Sequence, residues 1–383
     1  MRLQSLEFIE YEGKPQEWSI TGLTLGAKNL IVGRNASGKS RAINVINGLA
    51  RSLAGFQGVP LSGTFNACFR QDEKEYQYLV ICNEQQVLSE KLIIDGTVVL
   101  ERGEGGKGKI LAEQIKDKNG EKSLIDFQSP TSSFATFTRR DEVQHSYLEP
   151  LYLWASSLRY YPFSTYLGKE LFAIIVPNGP KVDDRDHNAA IGVFREAKKV
   201  FGDEFINALK KDFASIDYLV DIIDVDSPIS IQLSGMQGDP IGLFVKETNL
   251  PGITDQFSMS VGMFRVLSLL IHVNYFQMMK TASTILVDDI GEGLDFDRSC
   301  RLIDLLRAKA DESELQIILS TNDRFVMNNV PLEEWSVLQR KANHVIVKNY
   351  ANSKEIFEDF KFTGLSNFSF LELDVINEQQ ISD

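Results

Sequence analysis

The chain has 383 residues, of which 43% are hydrophobic, and a formal net charge of −13. That length and apolar content suffice for one large domain or two ordinary ones with a sizeable core. The negative charge argues against broad, non-specific binding to nucleic acid, although a local basic patch could still bind it.

The chain carries no sign of export or of a zinc site. Its first ten residues, MRLQSLEFIE, do not form a signal peptide, and no apolar run is long enough to span a bilayer. The three cysteines and four histidines are scattered, without zinc spacing or an even-numbered disulfide framework. We therefore expect a cytoplasmic protein without a membrane segment.

The first strong motif in chain order is GRNASGKS, from Gly33 to Ser40. Its spacing, Gly-x4-Gly-Lys-Ser, is that of a phosphate-binding loop. The run NLIV before it indicates a buried strand, and apolar residues recur after it at helical spacing as far as Gly55. Strand, loop and helix are thus in the order that this motif requires. The alternative is a glycine-rich turn with a surface lysine.

The chemistry of this loop follows from its residue types. Backbone N–H groups of the loop and the helix N-terminus would surround phosphate oxygens. Lys39 would reach the β- and γ-phosphates, and the Ser40 hydroxyl would bind Mg²⁺. The candidate nucleotide-binding residues here are Gly33, Arg34, Asn35, Ala36, Ser37, Gly38, Lys39 and Ser40.

Two regions of different character follow. Residues 62–102 alternate between apolar and polar, which predicts antiparallel strands with an Asp-Gly hairpin turn. From His187 to Ile216 the pattern predicts two helices, interrupted at Gly202-Asp203.

A second motif in chain order, FSMSVGMFRVLSLLI, places Ser260 and Gly262 just before a long apolar helix. By itself, Ser-Val-Gly there indicates an ordinary helix N-cap. Only its position between the phosphate loop and the next motif indicates more than a helix N-cap.

The acidic motif STILVDDIGEGLD is an apolar run that ends in two carboxylates. Such a run fits a parallel strand buried on both faces. Asp288 would hold Mg²⁺ through water, and Asp289 would orient or deprotonate the attacking water. The alternative is that the two acids cap the helix near Asp297. A further strand, LQIILST, leads to Asn322, where a γ-phosphate sensor would lie.

Beyond these motifs, WSVLQR and HVIVKNY predict another strand pair, and SKEIFEDFKF predicts a helix. The order of phosphate loop, Ser-x-Gly, acidic strand and Gly-Leu-Asp turn resembles the ABC-type P-loop ATPases. Within them it is similar to the soluble RecF, SMC and OLD proteins. The resemblance spans nearly the whole chain, although four short motifs carry it.

This resemblance implies an α/β fold of ABC type, with a mixed core sheet, an antiparallel β lobe and a helical insert. It divides the chain into an N-terminal ATPase part (1–164), the helical insert (165–250) and a C-terminal ATPase part (251–383).

The resemblance also implies which residues act in the site. ATP and Mg²⁺ would be the cofactors. Ser260 and Gly262 match the signature motif, which in the family contacts ATP bound to a second subunit. Asp295 ends the Gly293-Leu294-Asp295 turn that lines the facing subunit. A homo-oligomer, at least a dimer, is therefore expected.

Two positions depart from the family pattern. Asp289 stands where the family has glutamate, and Asn322 stands where it has the switch histidine. Glu292 could replace Asp289 as the catalytic carboxylate, at an unusual spacing. These departures predict an ATPase that hydrolyses slowly.

The expected function depends on which additional segments of the related proteins this chain contains. The chain lacks the coiled-coil heptads of SMC proteins, and we expect too little sequence after the strand LQIILST for the Toprim nuclease of OLD proteins. We therefore expect a sensor or scaffold ATPase that controls a separately encoded effector, a Toprim-type nuclease, in response to a phage-encoded trigger. In its overall sequence character, the chain is most similar to the ATPase subunit of the PARIS defence system. The alternatives are a RecF-like DNA-repair ATPase that clamps DNA, and a nucleotide-binding protein without turnover. Nucleic-acid binding stays open.

Overall fold

The structure is a computed structural model that describes residues 1–116, 122–174, 182–231, 240–280, 284–313 and 315–373. In chain order the strands are β1 (Arg2–Glu10), β2 (Trp18–Thr24), β3 (Lys28–Val32), β4 (Ser62–Gln71), β5 (Lys74–Asn83), β6 (Gln86–Ile94), β7 (Thr97–Arg102), β8 (Lys107–Lys116), β9 (Lys122–Gln128), β10 (Arg159–Pro162), β11 (Ala173–Ile174), β12 (Val220–Asp226), β13 (Pro240–Glu247), β14 (Thr254–Asp255), β15 (Thr284–Asp288), β16 (Gln316–Ser320), β17 (Trp335–Lys341) and β18 (His344–Asn349).

The helices are α1 (Lys39–Leu53), α2 (Ala135–Thr138), α3 (Glu149–Ser157), α4 (Ala190–Phe201), α5 (Asp203–Ser215), α6 (Val261–Met279), α7 (Phe296–Glu312), α8 (Arg324–Asn329), α9 (Lys354–Phe362) and α10 (Asn367–Glu372). The chain forms two compact units. The first is Met1–Leu158 with Val330–Asp383, and the second is Arg159–Asn329.

The first unit contains a mixed sheet that continues into an antiparallel lobe. Strand β3 pairs in parallel with β17, and β18 pairs in parallel with β2, whereas β17 with β18 and β1 with β2 are antiparallel. From β1 the order continues through β4, β5, β6, β7, β8 and β9. Every pair in that run is antiparallel. The predicted antiparallel lobe is confirmed.

The local sequence signals in this unit are confirmed as well. Helix α1 buries the apolar stripe that the spacing predicted, from Ala42 to Leu53. The hairpin between β6 and β7 turns at Asp95 and Gly96, which have φ of 48° and 77°. Two successive left-handed residues are what the Asp-Gly signal for a two-residue hairpin requires.

The second unit has a small parallel sheet in which β15 lies between β10 and β16. All residues of β15 and β16 are buried, as expected for parallel strands covered on both faces. Helices α4 and α5 are the two helices predicted between His187 and Ile216, and both pack against α6. Residues 165–250 also contain an antiparallel sheet in which β13 lies between β11 and β12. Strand β13 pairs as well with β14, just beyond that range. No helix in the described ranges combines the length and apolar composition that crossing a bilayer requires.

A buried ion pair fastens the antiparallel lobe to the segment that follows it. Arg102 on β7 donates from Nε to Glu90 Oε2 on β6 at 2.8 Å, and neither side chain is exposed. Glu90 also accepts hydrogen bonds from the N–H groups of Ala135 and Thr136 (2.7 and 3.0 Å), at the start of α2. Because a buried carboxylate needs such partners, this pair decides how residues 130–136 attach to the lobe.

We expect Arg102→Met to lower the free energy of unfolding by about 3–5 kcal/mol, because it leaves Glu90 buried without its cation. The matched control is the adjacent pair on the same strands, Lys91 with Glu101, which is 34% and 59% exposed. There Lys91→Met should cost about 0–1 kcal/mol. Urea unfolding of both variants measures the difference, and equal losses would contradict the role assigned to the buried pair.

Candidate functional site

The predicted phosphate loop joins β3 to α1 in the first unit. Its backbone is left-handed at Ala36 (φ 62°) and Gly38 (φ 105°), which curls the chain tightly before the helix. At Gly33 the reason for glycine is space, because a Cβ there would lie 2.5 Å from Ser37 Oγ and 3.0 Å from the carbonyl oxygen of Leu338. The loop therefore has the close-packed form that a phosphate cradle needs.

Lys39 spans this loop from the first position of α1. Its Nζ donates to the carbonyl oxygens of Gly33 at 2.9 Å and Arg34 at 3.3 Å, and the residue is only 6% exposed. Ser40, on the same first turn, is exposed. The N-terminus of a helix carries partial positive charge, so the helix end and the ammonium group concentrate positive potential on the loop.

Neighbouring strands brace the loop from outside. Arg340, on β17, donates from Nη1 to the carbonyl oxygen of Ala36 at 3.1 Å. Gly38 lies over the indole of Trp18, where a Cβ would come within 3.4 Å of the ring. A cavity of about 450 Å³ lies beside the loop, lined by Arg34 to Ser37 and by residues of β17 and α10.

In the second unit, Asp288, Asp289 and Asn322 come together where β15 and β16 end. The Ser320 hydroxyl donates to Asp288 Oδ1 and accepts from the Asp289 N–H at 2.9 Å. Asn322 Nδ2 donates to Asp289 Oδ1 at 3.0 Å. Sequence reasoning missed Ser320, although its place as the last residue of the strand beside the acidic strand was a usable signal.

The two acids do not cap the following helix, so that alternative is excluded. The N-cap of α7 is Asp295, whose Oδ1 accepts from the N–H of Arg298 at 3.0 Å. This backbone hydrogen bond, with the Arg298 charge, lowers the pKa of Asp295. Asp295 thus has a structural partner within its own chain.

The signature residues pack on the Gly-Leu-Asp turn of the same unit. Ser260 is exposed and caps α6, with its Oγ accepting from the N–H of Met263 at 3.2 Å. Gly262 is buried, and a Cβ there would lie 2.5 Å from the carbonyl oxygen of Gly293. Arg265 donates from Nη1 to the carbonyl oxygen of Glu292 at 2.8 Å. The helix start and the turn therefore form one packed structure, with the Glu292 side chain exposed.

The surroundings of the acids are partly apolar. A cavity of about 420 Å³ opens beside Asp289 and Asn322, and its wall includes Phe296 and Phe325, whose ring centroids are 4.7 Å apart. Burial, together with the Asp288 and Asp289 carboxylates, raises the pKa of Tyr160 to about 12. Tyr160 is therefore a neutral phenol at physiological pH.

The oxygen-bearing side chains predicted for the metal suit a magnesium ion for which a phosphate supplies some of the ligands. Among the described residues, no group of three or more His, Cys, Asp or Glu is placed to hold a metal by itself. Mg²⁺ is usually bound through one or two carboxylates, with water and substrate phosphates completing the shell. The Asp288 carboxylate in the second unit is an oxygen donor of the kind that such an ion takes, and the exposed Ser40 hydroxyl in the first unit is, taken by itself, another.

Neither a protein-family model nor a curated protein matches the sequence. Among solved structures, an Smc head bound to the C-winged helix domain of ScpA is 14% identical, with a TM-score of 0.51, over 91% of this chain and 97% of that chain. An Smc head from Pyrococcus furiosus, bound to the C-terminal domain of ScpA, is 14% identical with a TM-score of 0.47, over 94% and 99%. The first similarity shows the fold. The chain has the ABC-type ATPase fold of SMC heads, as the motif order predicted.

The contact between Gly262 and Gly293 predicts opposite effects for two helical glycines. Gly262→Ala should lower the free energy of unfolding by about 1–3 kcal/mol, because the added methyl group overpacks the turn. Gly48 in α1 has open space around its Cβ position, so Gly48→Ala should stabilise by about 0.5–1 kcal/mol. Thermal unfolding compares the two, and a stabilised Gly262→Ala would contradict the packing described.

Proposed function

We propose that this protein is an ABC-type ATPase that binds ATP and Mg²⁺ and hydrolyses ATP slowly. The observation that carries the proposal is the loop before α1, in which the buried Lys39 ammonium spans the carbonyl oxygens of Gly33 and Arg34. A lysine held in this way at a helix N-terminus can exchange those carbonyl partners for phosphate oxygens. The fold that the chain shares with SMC heads supports the same proposal.

The residues have separate roles in this proposal. Backbone N–H groups from Gly33 to Lys39 would bind the phosphates, the Ser40 hydroxyl would bind Mg²⁺, and Asp288 would hold the ion through water. When bound, the ion neutralises part of the phosphate charge. Asp289 orients the attacking water and accepts its proton, while Asn322 restrains Asp289 Oδ1.

Slow hydrolysis follows from the side chains at two positions. An aspartate carboxylate lies about 1.5 Å, one carbon–carbon bond, short of where glutamate would reach. A misplacement of about 1 Å can cost on the order of a hundredfold in rate. Asn322 cannot become cationic, so it supplies no charge to the γ-phosphate. We therefore expect turnover well below about 10 per second.

The slow turnover suits a protein whose ATP state holds an assembly. Ser260 is exposed at the N-terminus of α6, where a second copy's nucleotide could reach it. We propose a homo-oligomer in which Ser260, Gly262 and Asp295 complete the site of the facing subunit. The matched SMC head is bound to a domain of another protein, ScpA, and a separately encoded partner is part of the proposal here too.

For that partner we propose a Toprim-type nuclease controlled in antiphage defence, as in PARIS-like systems, with a phage-encoded trigger. The competing assignment, a RecF-like ATPase that clamps DNA, requires affinity for duplex DNA that falls steeply with salt. The net charge of −13 favours the sensor assignment. Fluorescence anisotropy with a labelled duplex, titrated at several salt concentrations, separates the two, because strong salt-dependent binding would support the repair assignment.

Lys39→Ala should raise the Kd for ATP. The variant loses charge-assisted hydrogen bonds worth about 1.5–3 kcal/mol, which corresponds to about 10- to 100-fold in affinity. Lys74→Ala, at an exposed position of the same unit, is the control and should leave the Kd unchanged. Calorimetric titration with ATP measures both, and an unchanged Kd for Lys39→Ala would remove the basis of the proposal.

Asp289→Asn should reduce ATP hydrolysis by about 10²–10⁴-fold, the usual contribution of a general base, while ATP stays bound. Asparagine tolerates the left-handed backbone at this position, where φ is 56°. Glu292→Gln, in the exposed turn next to it, should leave the rate unchanged. Single-turnover assays on both variants decide between the two carboxylates. Loss of activity in Glu292→Gln alone would reassign the catalytic role to Glu292.

A further inference from the structure

We propose that Ser320 is a positioning residue that sets the rate of hydrolysis by fixing both acids at once. This inference rests on the proposed function. Ser320 is the last residue of β16 and is fully buried. Its hydroxyl bridges the Asp288 carboxylate and the Asp289 amide.

The direction of both hydrogen bonds is fixed by chemistry. A backbone N–H can only donate, so the bond of 2.9 Å from the Asp289 N–H uses an acceptor site on Ser320 Oγ. The hydroxyl proton is then left for the carboxylate oxygen of Asp288. One side chain therefore satisfies a partly buried N–H donor and a buried carboxylate together.

The position of Ser320 follows from the register of the two strands. The parallel pairing of β15 with β16 ends at Val287 and Leu319. Asp288 and Ser320 are the next residues on each strand, so their side chains meet where the backbone ladder stops. The carbonyl oxygen of Ser320 also accepts from the N–H of Ile290 at 2.8 Å, which holds the chain just beyond the acids.

This clamp holds Asp289 in a conformation that it does not prefer. Its φ of 56° is left-handed, a conformation that is strained for a residue with a Cβ, although aspartate accepts it better than most. Ser320 holds its main chain and Asn322 holds its side chain at 3.0 Å. Without the Ser320 hydroxyl, the backbone at Asp289 can relax, and the Asp289 carboxylate then turns away from the attacking water that it would orient.

The consequence concerns catalysis rather than binding. Among the described residues, the Ser320 hydroxyl bonds to Asp288 and Asp289, which do not belong to the phosphate loop. The Kd for ATP measured without Mg²⁺ should therefore depend little on Ser320. Loss of the hydroxyl should instead lower kcat, because a misplacement of about 1 Å can cost on the order of a hundredfold in rate.

The test compares Ser320→Ala with Ser268→Ala, another fully buried serine, which lies on α6 and donates only a long bond of 3.4 Å to the carbonyl oxygen of Leu167. In the nucleotide-free protein, Ser320→Ala should speed amide hydrogen exchange in the peptide covering residues 286–292, and Ser268→Ala should not. With ATP and Mg²⁺, Ser320→Ala should lower kcat by at least about tenfold, whereas the Kd for ATP measured without Mg²⁺ should change less than about threefold. Ser320→Thr retains the hydroxyl and should keep the slow exchange.

Two results would overturn the inference. The first is wild-type exchange and kcat in Ser320→Ala, and the second is equal losses in Ser320→Ala and Ser268→Ala. If the wild-type protein does not hydrolyse ATP, the proposed hydrolysis fails by itself, and the exchange measurement still decides whether Ser320 holds Asp289.

Discussion

A buried carboxylate is tolerated only where hydrogen-bond donors or a cation offset its lost hydration, and the end of β15 is organised around that requirement. Asp288 is 6% exposed, and the Ser320 hydroxyl is the donor that the neighbouring strand provides. Glu90 meets the same requirement in the lobe with Arg102 and two backbone N–H groups. The difference is functional. Glu90 is surrounded by partners within the chain, whereas Asp288 lies where, in the proposed function, Mg²⁺ would bind.

A second constraint is the close approach of backbone to backbone around the signature helix. The carbonyl oxygen of Gly293 occupies the space that a side chain at Gly262 would need. Arg265 ties the same turn to the loop after β10 through the carbonyl oxygens of Ser164 and Thr165, at 2.6 and 2.7 Å. Ser260 therefore begins a helix whose first turn is packed on, and hydrogen-bonded to, the turn at Gly293. A movement of that turn would displace the exposed serine that we propose to contact a second subunit's nucleotide.

The sequence was sufficient for the features that depend on short spacings. The loop from Gly33 to Ser40, the helix after it and the Asp-Gly hairpin all follow from local rules, and each lies where predicted. The contacts between distant residues were not predictable in this way. Nothing local shows that Asp289 is left-handed, since it is not glycine, or that Asn322, 33 positions later, bonds to it. The small sheet around β13 was not predicted. Strands β11 and β14 have two residues each, too few to give a pattern, and the longer strands β12 and β13 lie in the range 165–250 that was assigned to a helical insert.

In the proposed function, ATP holds copies of this chain together for longer than one fast catalytic cycle. The mass of the purified wild-type protein in solution, measured by light scattering without nucleotide, with ADP, and with ATP and Mg²⁺, tests this. We expect a larger assembly with ATP and Mg²⁺ that persists until the bound ATP has been hydrolysed, and that dissociates with ADP. A particle of one subunit, about 43.1 kDa, under all three conditions would contradict it.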